Sequence, residues 1–189
     1  CRHEGAAAFM AEAHGKLTGR PGVCMVTRAP GAANASIGVH TAFQDSTPMI
    51  LLIGQVGRDM VEREAFQEVD YRRMFAPFAK WVAQIDDVSR VAEFVMRAYA
   101  VAMSGRPGPV VLALPEDMLT DSAPAVPSQK VVVARTGQPT ASDLAPLQQA
   151  LAKAVKPLLL IGGSTWSDAG LQDIRDFATR QQIPLACAF

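Results

Sequence analysis

The chain has 189 residues, 49% hydrophobic and 19% charged, which is enough apolar material for one domain or for one and part of a second. Its 18 basic and 18 acidic side chains cancel, so it lacks the electrostatic footprint of a binder of nucleic acid or of an anionic membrane. No apolar run approaches the ~20 residues of a membrane span, and the first residues carry no signal-peptide pattern, so a soluble, cytoplasmic protein is expected.

From Glu4 to Leu17 the larger apolar residues Phe9, Met10, Ala13 and Leu17 recur at three- and four-residue spacing, which predicts an amphipathic helix buried on that face. Thr18-Gly19-Arg20-Pro21-Gly22 stops it, and Val23–Thr27 is a short apolar run expected to be buried in a parallel sheet, with Cys24 inside it. RAPGAAN turns the chain into an alanine-rich helix reaching about Gln44, and Met49–Gly54 is the next strand. Gln55–Pro77 is charged and aperiodic, a loop with a short helix near Val69–Phe75. Lys80–Ile85 predicts a strand, and Val88–Ser104 a helix facing inward through Val91, Phe94, Val95, Ala98, Val101 and Ala102. Val110–Pro115 is the fourth strand.

Composition then changes. Residues 122–140 hold Pro124, Pro127, Gly137 and Pro139 and predict a linker between domains. A helix over 141–154, a strand over 157–163, a helix over 170–180 and the apolar end IPLACAF follow. Alternating strands and helices define an α/β architecture with mostly parallel sheets. The chain opens on a helix without a preceding strand and closes on a strand without its covering helix, so a piece of a longer polypeptide is expected.

Several stretches could hold chemistry. APGAAN, Ala29–Asn34, stands where a strand passes into a helix, the crevice at which open α/β sheets bind ligands, although an ordinary tight turn would use the same residues. Neither G-x-G-x-x-G nor the Lys-Ser/Thr of a P-loop is present, and Gly162-Gly163 after PLLLI suits any turn as well as a nucleotide loop. His3, His14 and His40 lack metal-ligand spacing, and Cys1, Cys24 and Cys187 fit neither a disulfide framework nor a zinc site. AFQE, Ala65–Glu68, lies on a loop after a strand, where its alternative role is Phe66 as an anchor with Gln67 and Glu68 solvated. Glu4, before a run of small apolar residues, is either a first-turn carboxylate favoured by the helix dipole by ~0.3–1 kcal/mol or a site residue.

Taken in order, RHEGAAAFMAEAHGKLTGRPGVCMVT, APGAAN, FQDSTPMILLIGQV, AFQE and SGRPGPVVLALPEDM resemble the acetolactate synthase-like family of thiamine-diphosphate enzymes. The resemblance covers Cys1 to about Met118 and continues more weakly beyond. It implies an α/β fold: a three-layer, parallel-sheet pyrimidine-binding domain over 1–121 that lacks its first strand and helix, a linker over 122–140, and the truncated start of a Rossmann-like central domain over 141–189. The pyrophosphate-binding domain and its magnesium motif are absent, so the resemblance implies Mg2+ ligands outside this chain and a fragment inactive alone.

By the same resemblance Glu4 is the catalytic glutamate that hydrogen-bonds the aminopyrimidine ring of thiamine diphosphate and promotes loss of the thiazolium C2 proton. A dry site beside the ring would raise its pKa, and the small residues after it would let the helix start approach the cofactor. Pro30 and Asn34 match positions lining the aminopyrimidine pocket; Phe66, Gln67 and Lys80 match substrate-side positions, with Gln67 also placed among the catalytic residues. RAPGAANA and VEREAFQE depart from the commoner SGPGATN and IGTDAFQE. The implied activity is carboligation or decarboxylation of a 2-keto acid by a homodimer or homotetramer, with FAD held by some relatives largely through the central domain. Benzoylformate-type decarboxylases, oxalyl-CoA decarboxylase and sulfoacetaldehyde acetyltransferase share the scaffold. A non-catalytic flavin- or nucleotide-binding module is the alternative from another class.

Overall fold

A computed structural model describes residues 1–125, 131, 137–163 and 166–188. The chain separates into two units, Cys1–Arg135 and Thr136–Phe189, each taken by itself below.

In the first unit, helix α1 (Glu4–Thr18) begins where the His3 imidazole accepts the Gly5 N–H at 3.0 Å, and it ends as the Gly19 N–H donates to the Gly15 carbonyl. Strand β1 (Gly22–Val26) leads into α2 (Ala29–Gln44), whose first turn contains Pro30, preorganised for a helix start. Strand β2 (Met49–Gln55), short helix α3 (Tyr71–Phe75), strand β3 (Trp81–Gln84), helix α4 (Val91–Met103) and strand β4 (Pro109–Pro115) complete it.

The four strands are all parallel and ordered β1-β2-β4-β3, so the chain passes over the place of β4 and returns to fill it. β2 and β4 are central, which is why MILLIGQ and PVVLALP read as continuous apolar runs. On one face Leu51, Ile53, Val111 and Ala113 pack with Val39 of α2 and Phe75 of α3; on the other, Ile50, Val110 and Leu112 pack with Ala98 and Ala102 of α4. Helices on both faces make three layers. Val95 of α4, expected inside, is exposed.

The buried face of α1 differs from the expected one. Gly5, Ala8, Ala11, Glu12 and Gly15 are buried, whereas Phe9, Met10, Ala13 and Leu17 are exposed. The reason is distance. A Cβ on Gly15 would lie 2.2 Å from the Pro48 carbonyl oxygen, and one on Gly22 would lie 2.0 Å from that of Ala11. Backbone this close admits only small residues, so the small side chains serve the packing of α1 on α2 and the sheet. Glu12 is buried here because Thr47 Oγ1 donates to it at 3.3 Å and Lys16 pairs with it at 3.3 Å.

The second unit holds α5 (Ala141–Lys153), β5 (Leu159–Ile161), α6 (Asp168–Gln181) and β6 (Leu185–Cys187), with β5 and β6 parallel. Thr140 and Asp143 form a reciprocal cap on α5, and Ser167 caps α6. β5 is shorter than the expected strand over 157–163: Pro157 has no N–H for the ladder, and Gly163 turns away with φ 88°. Most of the expected linker, residues 126–130 and 132–136, lies outside the described residues, as do Ser164 and Thr165 after the glycine pair.

Candidate active site at the C-terminal edge of the sheet

Because all four strands are parallel, the loops following β1, β2, β3 and β4 gather at one edge. α1 runs against β1, so Glu4 reaches this edge, and the first turns of α2 start there. The Asn34 amide donates to Glu4 Oε2 at 3.0 Å, joining the two helix starts. The Ala29 N–H donates to the Gln67 carbonyl at 3.4 Å, which attaches the AFQE loop to the same turn. The structure thus brings Glu4, Pro30, Asn34 and Gln67 to one end of α2, with Phe66 beside Gln67 and 79% exposed.

The raised pKa expected of Glu4 belongs to a dry site beside the cofactor ring, whereas in the chain by itself Glu4 faces Asn34. The Asn34 amide holds its carboxyl below the usual carboxylate value, helped by its own backbone N–H and by His3, and the weak burial of the group does not offset this. Glu4 is therefore an ionised acceptor at neutral pH. No other side chain donates to it among the described residues.

Lys80 is not brought to this edge. It precedes β3, its N–H donates to the Pro109 carbonyl at the start of β4, and its ammonium donates to the carbonyls of Val101 and Ser104, the latter at 2.6 Å. The cation therefore satisfies the C-terminal carbonyls of α4 at the opposite edge of the sheet. Lys80→Met is expected to lower unfolding free energy by about 1–3 kcal/mol, read from denaturant melts, because those carbonyls lose a charged donor. An unchanged midpoint would contradict this placement.

Other residues at the site edge have no periodic signal in the sequence. Gln55 is buried at the end of β2, where its amide donates to the Val69 carbonyl at 2.8 Å and accepts the Val56 N–H at 3.0 Å. The Tyr71 hydroxyl donates to the Gly54 carbonyl at 3.3 Å, and burial pushes its pKa up to about 12. Arg28, at the start of α2, pairs with Glu116 after β4 at 3.5 Å. A cavity of about 290 Å3 opens beneath the loop after β2, lined by Gln55, Glu62, Glu68, Tyr71, Gln84 and Asp86; Glu4 and Asn34 lie outside its wall. Among the described residues no group of three His, Cys, Asp or Glu side chains is placed to hold a metal ion.

Arg58 ties three of these loops together. It reaches Asp117 Oδ2 at 2.6 Å, Asp121 Oδ2 at 2.8 Å and the Asp86 carbonyl at 2.6 Å. The guanidinium holds the Asp117 carboxyl below its usual value. A carboxyl depressed on folding stabilises fully above the unfolded value of about 3.9 and loses that contribution as pH falls through the folded value. Arg58→Ala is therefore expected to lower the melting temperature at pH 7, with the gap to wild type narrowing below about pH 4 as Asp117 protonates. Equal gaps at both pH values would contradict the pairing.

Residues 1–74 match the family described as "Thiamine pyrophosphate enzyme, N-terminal TPP binding domain". The first unit, with its parallel sheet, is similar to such a domain over these residues. Over nearly its whole length the chain is similar to acetolactate synthases. It is 35% identical over 189 residues to an acetolactate synthase of Arthrospira platensis, covering 97% of this chain and 33% of that one. It is 34% identical over 187 residues to acetolactate synthase isozyme 2 large subunit of Escherichia coli (strain K12), covering 99% and 34%. The crystal structure of benzoylformate decarboxylase from Polynucleobacter necessarius superposes with a TM-score of 0.87 at 29% identity, over 98% of this chain and 35% of that one. The chain spans about a third of the length of the relatives it matches. No helix among the described residues is long and apolar enough to cross a membrane.

Proposed function

We propose that the protein containing this chain is a thiamine-diphosphate-dependent carboligase or decarboxylase of 2-keto acids, with acetolactate synthesis the nearest named activity. The observation that carries the reading is the Asn34–Glu4 hydrogen bond at 3.0 Å, which orients a carboxylate at the C-terminal edge of the parallel sheet, in a stretch similar to a thiamine pyrophosphate binding domain. Thiamine diphosphate held there would supply the nucleophilic carbon that 2-keto acid chemistry needs, which no side chain of this chain provides. Glu4 would take up a proton and donate it in a hydrogen bond to the ring nitrogen of the aminopyrimidine, while Asn34 fixes the orientation of the carboxyl group. Pro30 shapes the turn against which the ring packs. Phe66 and Gln67, on the adjoining loop, bound the substrate side. The residues fit the cofactor: the Glu4 carboxyl is half-buried, reachable from solvent and already oriented by Asn34.

Mg2+, held by residues outside this chain, would anchor the diphosphate, and an enzyme that also holds FAD, as some relatives do, would carry it largely through the second domain. The Glu4–Asn34 pair, reachable from solvent, and the exposed Phe66 leave one side of the site open, as a cofactor bound between the chains of a homodimer or homotetramer requires. The cytoplasm is the expected compartment. The test is turnover of pyruvate by the full-length enzyme with thiamine diphosphate and Mg2+. Turnover of another 2-keto acid in its place keeps the chemistry and rejects the acetolactate label, and a protein that binds no thiamine diphosphate contradicts the reading.

A further inference from the structure

We propose that Glu68 is a positioning residue: its carboxylate sets the shape of the loop that presents Phe66 and Gln67, and through them the grip of the site on a 2-keto acid. The statement about substrate rests on the function proposed above; the statement about the loop does not. Between β2 and α3 no strand partner orders residues 61–70, yet three residues other than glycine adopt the left-handed backbone there: Glu62 at φ 62°, Glu64 at φ 52° and Gln67 at φ 66°. That conformation is disfavoured for side chains with a Cβ, so it persists only where surrounding bonds impose it.

Glu68 supplies those bonds. Its Oε1 accepts the Glu62 N–H at 2.7 Å, its Oε2 accepts the Ala65 N–H at 3.1 Å, and its own N–H donates to the Ala65 carbonyl at 3.0 Å. One carboxylate therefore spans both Glu62 and Glu64, with an oxygen for each backbone donor. Only an ionised carboxylate offers two acceptors of this strength from one residue. Downstream, Gln67 is fixed by its carbonyl to Ala29. Phe66 lies between these anchors and, being 79% exposed, takes its position from the backbone rather than from packing. The AFQE motif is thus two presented residues followed by the residue that holds their loop.

The experiment compares the full-length wild-type enzyme with Glu68→Gln and Glu68→Ala by amide hydrogen exchange, thiamine diphosphate binding and steady-state kinetics. Glu68→Ala is expected to speed exchange in residues 61–68 by at least about tenfold, with Glu68→Gln intermediate because its amide keeps one acceptor. The KM for the 2-keto acid should rise by about tenfold in Glu68→Ala, while cofactor affinity, which depends on Glu4, Asn34 and Pro30, stays within about twofold. Unchanged exchange in residues 61–68 would overturn the proposal. Faster exchange with an unchanged KM, in an enzyme whose wild type turns over a 2-keto acid, would overturn its substrate half. A wild type with no such turnover contradicts the proposed function instead, and the exchange result still decides the loop.

Discussion

On the proposed function, Glu4→Gln is expected to lower 2-keto acid turnover of the full-length protein by at least about 100-fold, the lower bound for a positioned general acid–base group. Glutamine keeps the size of the side chain and an oxygen to accept the Asn34 amide, so the joint between α1 and α2 survives. What disappears is the charge. In the chain by itself the Asn34 amide holds the carboxyl below the usual carboxylate value; beside the aminopyrimidine it would take up a proton and pass it to the ring nitrogen, which an amide cannot do. Stability should change little, because glutamine keeps the bond to Asn34 and no other side chain among the described residues donates to Glu4. The measurement is kcat in the presence of saturating cofactor, with melting temperature as the control. Asn34→Ala should give a smaller loss, since it frees the carboxylate to rotate without removing it.

The second large effect falls on stability. Gly15→Ala and Gly22→Ala each place a methyl group 2.2 Å and 2.0 Å, respectively, from a backbone oxygen, far inside van der Waals contact. At Gly15 two terms compete. Alanine is the better helix former by about 1 kcal/mol, whereas overpacking against atoms that cannot rotate away costs about 3 kcal/mol or more. The clash wins because the obstacle, the Pro48 carbonyl, belongs to the turn that delivers β2 into the centre of the sheet. Both substitutions should lower the melting temperature by about 10 °C or more or abolish soluble expression. Gly137→Ala is the matched control, since nothing stands within 4 Å of its added Cβ. If it and Gly15→Ala behave alike, the close approach of α1 is not what the structure describes.

The limits of sequence reading follow from the same contacts. β2 and β4 are legible because a strand buried on both faces has no polar alternation to obscure it. Their adjacency is not, because β4 is inserted between β2 and β3 out of chain order. The face of α1 is misread for a physical reason: periodicity weights large apolar residues, and here close backbone approach selects Gly5, Ala8, Ala11 and Gly15 while Phe9 and Leu17 face outward. Glu4 and Asn34 become partners only through the pairing of two helix starts 30 residues apart. Lys80 shows the converse, since its place in the order of motifs says nothing of its ammonium, which caps α4. In AFQE the bland expectation is inverted: Phe66 is exposed and Glu68, expected to be solvated, accepts two backbone donors. Hydrogen bonds from loop side chains to backbone leave no periodic trace. Arg58, bound to carboxylates 59 and 63 residues away, leaves none either.

The central claim is that the carboxylate of Glu4 acts on bound thiamine diphosphate. Its most direct test is the rate at which the C2 proton of the enzyme-bound cofactor exchanges with deuterated solvent, compared between wild type and Glu4→Gln at equal cofactor occupancy. The account predicts exchange at least about 100-fold slower in the variant. Equal rates would show that the proton leaves without help from Glu4 and would contradict the account.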